Sequence, residues 1–366
     1  MIYLDNGATS FHKPEAVGRA VLRAMRTCAN PGRGGHAPAM EAARQVYACR
    51  ERAGRLFDCS PEQVVFTSNC THGLNIAIHS LFRSGSRVVI SGFEHNAVTR
   101  PLHGLGAEIT VAGRRLFDWA DTLEDFQKAL RNGADGAVFT HVSNVFGYVL
   151  PVEEMAALCR EYGVPFILDA AQSAGAVPIS LNNLGAEFVA MPGHKGLLGP
   201  QGTGILLCRG EAQPLIRGGT GSESIRQDMP DFLPDRLEAG TVNVPGIAGL
   251  GAALAYLERV GVESIGRREA ELGKKCAESL RNLGYTVYAG PHQGGTVSFR
   301  GKGDCEALAE NLGKRGIAVR AGLHCAPLAH ESAGTLETGT VRVSFGFDGN
   351  PGQIQGLIQG LSKEKG

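Results

Sequence analysis

Short apolar segments alternate with amphipathic segments over residues 15–245, and this alternation is the strongest constraint on the fold of the chain. The amphipathic segments have helical spacing and cover residues 14–27, 40–56, 71–84, 122–131 and 152–162. The apolar segments, each bounded by turn residues, are QVVFTS, RVVISG, EITVAG, GAVFTHV, PFILDAA, FVAMPG and GILLCR. Buried strands that alternate with helices form a largely parallel sheet, so the pattern predicts an α/β fold.

The pattern changes after Thr241. One long helix is predicted over 247–283, and the strand-like segments YTVYAG, GTVSFR, IAVRAG and TVRVSFGF follow, with helices near 305–315 and 353–362. Such a mixture is typical of a smaller α+β domain. We therefore predict a large domain over 15–245 and a small domain over 246–366 that also includes 1–14, with a hinge at residues 244–246.

Composition excludes several classes of partner. The chain has 36 Lys and Arg residues and 36 Asp and Glu residues, so we expect no nucleic-acid partner. It contains neither a signal-peptide pattern nor an apolar run near the roughly 20 residues of a membrane helix, which predicts a cytoplasmic protein without membrane contact. The nine cysteines include no C-x-x-C pair, so we expect neither a disulfide framework nor a metal site.

Polar residues follow the predicted strands at the sheet edge where α/β enzymes bind ligands. Asp169 follows one strand and Lys195 follows the next, while Cys70 and Thr71 open a helix whose N–H groups could bind an anion. Pyridoxal 5′-phosphate (PLP) requires a lysine amine, a carboxylate at its ring nitrogen and a phosphate cradle. Each residue alone has an ordinary explanation as a loop lysine or a helix cap, but together they predict a PLP site.

The chain resembles the class V aminotransferase family over residues 3–347. The matching segments are YLDNGATS, NPGRGGH, FTSNCTHGLN, EHNAV, HVSNVFG, ILDAAQSAG, GHKGLLGPQGTG, RLEAGTVN, RAGLHCAPLAH and TVRVSFG. Within this family, RAGLHCA is similar to the group II cysteine desulfurases, a group that also holds selenocysteine lyases. The resemblance implies the PLP-dependent transferase fold of type I, with a mostly parallel seven-stranded sheet in the PLP-binding large domain.

The resemblance also implies cofactor-binding roles for nine positions. Lys195 would hold PLP as a Schiff base and move the substrate Cα proton, and Asp169 would pair with the pyridine nitrogen. His95 would stack on the ring and act as an acid or base. Asn144 and Gln172 would bind the ring hydroxyl of PLP. The Cys70 backbone, Thr71 and His194 would bind its phosphate. Thr241 would contact the phosphate of the other subunit's cofactor. The last contact implies a homodimer.

Three further residues are implied to contact the substrate. Arg342 would bind the substrate carboxylate, a task suited to the planar guanidinium group. Arg320 and His36 would make secondary contacts with the substrate.

Cys325 is the candidate nucleophile. From composition alone it reads as a buried structural cysteine, whereas its Gly- and Pro-containing surroundings and the family resemblance favour an exposed, reactive thiol. A cationic Arg320 or a protonated His324 would lower its pKa. The loop between Cys325 and Arg342 is short, so its reach is limited and we expect a dedicated protein that accepts the sulfur.

These residues predict a PLP-dependent cysteine desulfurase, which converts L-cysteine to L-alanine and leaves the sulfur on Cys325 as a persulfide. The alternatives are a selenocysteine lyase, a class V aminotransferase or C–S lyase that does not use Cys325, and a PLP-binding protein without turnover.

The chain departs from the family pattern near the phosphate cradle and beyond Arg342. Pro192 replaces a usual Ser or Thr and removes one phosphate hydroxyl, for which we expect Thr220 or Ser222 to substitute. His72 stands where glutamate is common, and FDGNP after Arg342 is unusual.

Overall fold

A seven-stranded sheet forms the centre of the computed structural model, which describes residues 1–32 and 34–362. Its strands are β2 (Val64–Thr67), β3 (Arg87–Ser91), β4 (Glu108–Ala112), β5 (Gly136–Thr140), β6 (Phe166–Asp169), β7 (Phe188–Pro192) and β8 (Gly204–Cys208). They lie in the order β2-β8-β7-β6-β5-β3-β4, and only β8 runs antiparallel to its neighbours. The predicted α/β class with a mostly parallel, seven-stranded sheet is confirmed.

Helices cover both faces of this sheet. They are α1 (Glu15–Thr27), α2 (Ala37–Phe57), α3 (Cys70–Leu81), α4 (Asn96–Leu105), α5 (Trp119–Arg131), α6 (Val152–Tyr162), α7 (Leu181–Leu184) and α8 (Val244–Val260). Side chains alternate along each strand, so Ile167 packs with α3 and α4 while Phe166 and Leu168 pack with helices on the opposite face. Burial of such a side chain stabilises the fold by about 1.5–3 kcal/mol, which explains the apolar strand sequences.

A smaller antiparallel sheet follows in the chain. Its strands are β9 (Thr286–Tyr288), β10 (Thr296–Arg300), β12 (Arg320–Gly322) and β13 (Thr340–Ser344), in the order β12-β13-β10-β9. The associated helices are α9 (Val262–Asn282), α10 (Cys305–Lys314), α11 (Pro327–Ser332) and α12 (Pro351–Ser362). The N-terminal strand β1 (Ile2–Tyr3) pairs in parallel with β11 (Ile317–Ala318), which ties the chain's beginning to this region.

One prediction about the junction is wrong. The single helix expected over 247–283 is two helices, because Gly261 adopts a φ of 86° between α8 and α9. Residues 244–246, where a hinge is predicted, form the first turn of α8, in which the Asn243 side chain accepts a hydrogen bond from Gly246 N at 3.0 Å and Pro245 occupies a position that tolerates proline. Their role as a hinge stays a prediction. The domain division at residue 245 stays a prediction. Residues 363–366 of the predicted small domain lie outside the residues that the structure describes.

His141 is a buried histidine whose ring nitrogen Nδ1 has no hydrogen-bond partner among the described residues. Burial lowers its pKa from 6.5 to about 4. As the pH falls, His141 is therefore protonated near pH 6.5 in the unfolded chain but only near pH 4 in the folded protein. Between these pH values the unfolded state binds more protons, so this histidine lowers the stability of the fold as the pH falls.

We expect the His141→Gln variant to lose this pH dependence. Relative to the wild type, its free energy of unfolding should gain about 2 kcal/mol on lowering the pH from about 7.5 to about 5. Urea denaturation at both pH values measures this difference, with His103→Gln, at an exposed position, as the control. An identical pH dependence in His141→Gln and wild type would contradict the assignment.

Candidate active site

The predicted cofactor residues meet in one cavity at the carboxyl ends of the sheet strands. The cavity is lined by Cys70, Thr71, His95, Asn144, Asp169, Gln172, His194 and Lys195, together with Pro192 and several neighbours. Among the predicted cofactor residues, only Thr241 lies elsewhere. The structure thus brings together side chains that are up to 125 positions apart, as the strand-end argument requires.

Asp169 ends β6 and is 2% exposed. Its Oδ1 atom accepts hydrogen bonds from Ala171 N at 2.9 Å and from the Cys70 thiol at 3.6 Å. Burial raises the pKa of Asp169, whereas these hydrogen bonds and the charge of Lys195 lower it. Burial also lowers the pKa of Lys195, which keeps this amine closer to its neutral, nucleophilic form. The pair therefore provides a carboxylate and an amine in the same enclosed site.

The N-terminus of α3 supplies hydrogen-bond donors to the cavity. Asn69 caps this helix by accepting a hydrogen bond from His72 N at 2.9 Å. The N–H groups of Cys70 and Thr71 lie in the first turn, where a helix offers no acceptor, and both residues line the cavity. They are suited to bind an anion.

Pro192 lines the cavity without offering a hydroxyl group. The suggested substitutes do not line this cavity: Thr220 and Ser222 bond to each other at 3.0 Å, and Ser222 donates to Asp235 at 2.6 Å. His194 remains a candidate hydrogen-bonding residue for the phosphate, and its Nδ1 atom lies 3.0 Å from the Thr9 hydroxyl. Burial lowers its pKa to about 4, so it is neutral near pH 7.

His95 caps α4 through its side chain. Its Nδ1 atom accepts a hydrogen bond from Ala97 N at 3.0 Å, which places the proton of the neutral ring on Nε2. Burial lowers the pKa of His95 to about 4, assisted by the charge of Lys195. The ring is therefore a neutral hydrogen-bond donor near pH 7, and it cannot accept a proton at Nδ1 without breaking its contact with the helix.

Asn144 connects the cavity to two other parts of the site. Its side-chain Nδ2 donates to the carbonyl oxygen of His324 at 2.8 Å, and its own carbonyl oxygen accepts from Arg342 at 3.0 Å. Gln172 is held differently, since its Nε2 donates to the carbonyl oxygen of Gly7 at 2.9 Å. Both amides are thus oriented by the protein backbone.

The two candidate substrate arginines share one carboxylate. Arg342, which is 3% exposed, donates to Asp5 Oδ1 at 2.9 Å, and Arg320 contacts both Asp5 oxygens at 2.8–3.2 Å. Among the described residues, Nε of Arg342 has no partner. Sequence reasoning missed Asp5, although it stands in the YLDNGATS segment that carried part of the resemblance.

Cys325 is exposed in a short loop between β12 and α11. Its φ is 55° and that of His324 is 51°, a left-handed conformation that costs energy for residues with a side chain. Hydrogen bonds maintain it: Asn96 N donates to the Cys325 carbonyl at 2.7 Å, and Asn144 holds the His324 carbonyl. The thiol is therefore presented on a loop that is attached to the large sheet's helix α4.

The prediction that a protonated His324 lowers the pKa of Cys325 is wrong. Burial and, to a smaller extent, the charge of Arg342 lower the pKa of His324 to about 3, so the ring is neutral near pH 7. Arg320 is the other predicted cation, and the charge of Cys325 is among the causes that raise the pKa of Arg320, after the hydrogen bonds that Arg320 donates to Asp5.

Five predicted site residues do not line the cavity of this single chain, namely Arg320, Arg342 and Cys325, described above, and Thr241 and His36. Thr241 is exposed and lines a separate pocket beside β2. His36 is also exposed, and its Nδ1 accepts a hydrogen bond from Ala39 N at the start of α2. Their roles stay predictions.

No group of three or more metal-binding side chains occurs within residues 1–32 and 34–362. In the same part of the chain, no helix has the length and apolar character needed to cross a membrane.

The chain is similar to known proteins over nearly its whole length. The family model described as aminotransferase class-V matches residues 2–357. A probable cysteine desulfurase of Methanothermobacter thermautotrophicus is 33% identical, over 100% of this chain and 95% of that protein. The apo structure of a cysteine desulfurase from Thermococcus onnurineus matches with a TM-score of 0.91 and 31% identity, covering 99% of this chain and 94% of the other.

The cysteine desulfurase CsdA from Escherichia coli matches with a TM-score of 0.86 and 25% identity, over 99% of this chain and 94% of that one. These neighbours have the fold of type I, which confirms the predicted architecture. Both the model match and the identity extend over nearly the whole chain, and the family consists of PLP enzymes. The chain belongs to the class V aminotransferase family.

Proposed function

We propose that the protein is a PLP-dependent cysteine desulfurase that converts L-cysteine to L-alanine. The observation that carries the proposal is the joint placement of Lys195, Asp169 and the α3 N-terminus in one cavity, with the Cys325 loop attached to that cavity by the hydrogen bond from Asn144 to the His324 carbonyl. The named relatives favour L-cysteine over L-selenocysteine as the substrate.

The residues of the cavity suit PLP. Lys195 would hold the aldehyde carbon, Asp169 the ring nitrogen, and the N–H groups of Cys70 and Thr71 with neutral His194 the phosphate. The Oδ1 atom of Asp169 is occupied by protein donors, which leaves Oδ2 for the ring nitrogen. PLP supplies an electron sink for the bond that must break at the substrate Cα.

The protein side chains then have distinct tasks. Arg342 binds the substrate carboxylate, with its guanidinium already held by Asp5 and by the Asn144 carbonyl. The Lys195 amine, with its lowered pKa, moves the proton at Cα. Neutral His95, which lines the cavity, would offer its Nε2–H group as a hydrogen-bond donor, because its Nδ1 atom is occupied by Ala97 N.

Cys325 accepts the sulfur. Its thiolate attacks the substrate sulfur, so that an S–S bond forms and the Cβ–S bond breaks. The electron pair of the broken bond remains with the substrate carbon skeleton, which takes up a proton and leaves as L-alanine. The sulfur stays on Cys325 as a persulfide, so L-cysteine and one thiol give L-alanine and one persulfide without an added oxidant or reductant.

The exposed, anchored loop suits delivery of this sulfur to a second molecule. Because hydrogen bonds from Asn96 and Asn144 hold the loop, Cys325 has little freedom to carry the sulfur away. We therefore include a protein acceptor that approaches Cys325. The exposed position of Thr241 supports a homodimer in which this residue contacts the other subunit's cofactor.

Incubation of the PLP-loaded protein with L-cysteine tests the proposal. We expect L-alanine and sulfide in equal amounts when a reducing thiol is present, because each persulfide is then reduced to sulfide. Chromatographic amino-acid analysis and a colorimetric sulfide assay measure both products, and L-selenocysteine is added in competition. Pyruvate and ammonia instead of L-alanine would indicate a C–S lyase, and transfer of the amino group to an added keto acid would indicate an aminotransferase.

A further inference from the structure

Asp5 lies between the two arginines of the proposed substrate site. Its Oδ1 and Oδ2 atoms accept hydrogen bonds from Arg320, and Oδ1 also accepts one from Arg342. A bridge between Asp5 and Ser344 places the start of the chain beside β13, and the Asp5 side chain is 11% exposed. The carboxylate therefore has a fixed position relative to both guanidinium groups.

The pairing of β12 with β13 places Arg320 directly opposite Arg342. Opposite residues of an antiparallel pair have Cα atoms roughly 4.5–5.5 Å apart, so their side chains are close neighbours. Two guanidinium groups and one carboxylate leave one net positive charge. His324 adds none near pH 7, because burial lowers its pKa to about 3.

We propose that Asp5 determines substrate specificity by neutralising Arg320, which leaves charge for one substrate carboxylate and disfavours amino acids with a second anionic group. This inference rests on the proposed role of Arg342 in substrate binding. L-Cysteine fits such a site because its side chain is a neutral thiol over most of the pH range.

The different exposure of Arg342 and Arg320 indicates that Asp5 does more than compensate a buried charge. The Arg342 side chain is 3% exposed and needs a counter-charge, which Asp5 Oδ1 provides. The Arg320 side chain is 52% exposed and would be well solvated alone, yet it contacts both Asp5 oxygens. Without Asp5, Arg320 would be free to bind an anionic group next to a carboxylate on Arg342.

The Asp5→Asn variant of the PLP-loaded protein tests this inference with L-aspartate and L-alanine as probes. Both bind through an α-carboxylate, but only L-aspartate carries a second one. Titration of the cofactor's visible absorbance gives each dissociation constant. We expect the ratio of these constants to shift toward L-aspartate on the order of tenfold, since one unit charge is gained beside the ligand.

Two variants serve as controls. Asp348→Asn removes a carboxylate that pairs with His12 and contacts neither arginine, so the ratio should equal that of wild type. Adding Arg320→Gln to Asp5→Asn should restore the wild-type preference, because it removes the freed charge.

An unchanged ratio would overturn the inference, and if both dissociation constants changed by the same factor it would show a purely structural role for Asp5. If Asp5→Asn does not fold, Arg320→Gln alone at its half-exposed position provides the measurement. It lowers the net charge to zero, so the L-alanine dissociation constant should rise several-fold, and an unchanged constant would contradict the inference. Binding is measured without sulfur transfer, so this result is independent of whether L-cysteine is desulfurated.

Discussion

The Cys325→Ser variant is expected to bind PLP as the wild type does and to release almost no L-alanine from L-cysteine. A serine hydroxyl is not ionised near pH 7 and is a poor nucleophile toward sulfur, so the step that breaks the Cβ–S bond loses its acceptor. We expect the rate of L-alanine release to fall on the order of a thousandfold. Amino-acid analysis measures the rate, and visible absorbance measures the bound cofactor.

The substitution should have little effect on stability. Cys325 is exposed, and the hydrogen bonds that hold its loop involve backbone carbonyl groups and not the thiol. Cys59→Ser is a matched control, because Cys59 is partly buried at the end of α2, on a different element of the fold. Full L-alanine release by Cys325→Ser would exclude a persulfide on this residue and favour chemistry that does not use it.

The cavity around Lys195 was predictable from local patterns. Asp169 ends one strand and Lys195 follows the next, parallel strand, and the geometry of an open α/β sheet brings the carboxyl ends of such strands together. The first turn of α3 follows β2 in the same way. Short-range sequence periodicity therefore contained enough information to place these side chains at one edge, whereas their individual roles remain predictions.

Asp5 was not predictable from such patterns. Its partners Arg320 and Arg342 are 315 and 337 positions away, and they reach it only because β1 pairs with β11 and the chain then passes beside β13. The neutral state of His324 was also not predictable from the sequence, because it depends on burial of the side chain in the folded site. The break at Gly261 depends on a backbone conformation that the helical periodicity on either side conceals.

The same contacts indicate how the site works as a unit. Asn144 contacts Arg342 through its backbone and the Cys325 loop through its side chain, so the proposed carboxylate site and the proposed nucleophile share one support. Asn144 lies in the loop that follows β5 of the large sheet. We therefore expect the large sheet to set the distance between the substrate sulfur and Cys325, although both Arg342 and Cys325 belong to the C-terminal part of the chain.

The Lys195→Ala variant is expected to lose both covalent attachment of PLP and turnover. Borohydride reduction of the wild type, followed by peptide mass spectrometry, should place the cofactor on the peptide that contains Lys195. In Lys195→Ala this modification should be absent, and the rate of L-alanine release should fall by roughly 10²–10⁴-fold or more, because the group that moves the Cα proton is missing.

Added ethylamine should restore part of that rate in Lys195→Ala, since a small amine can occupy the vacated space and move the proton in place of the lysine. The Lys13→Ala variant is the matched control, because burial lowers the pKa of Lys13 to about 8 and its amine contacts the carbonyl oxygen of His194 at 3.1 Å. This second amine of lowered pKa lies beside the site but does not line the cavity. Retention of reducible cofactor on Lys13 or another lysine, together with wild-type turnover, would show that Lys195 is not the anchoring residue.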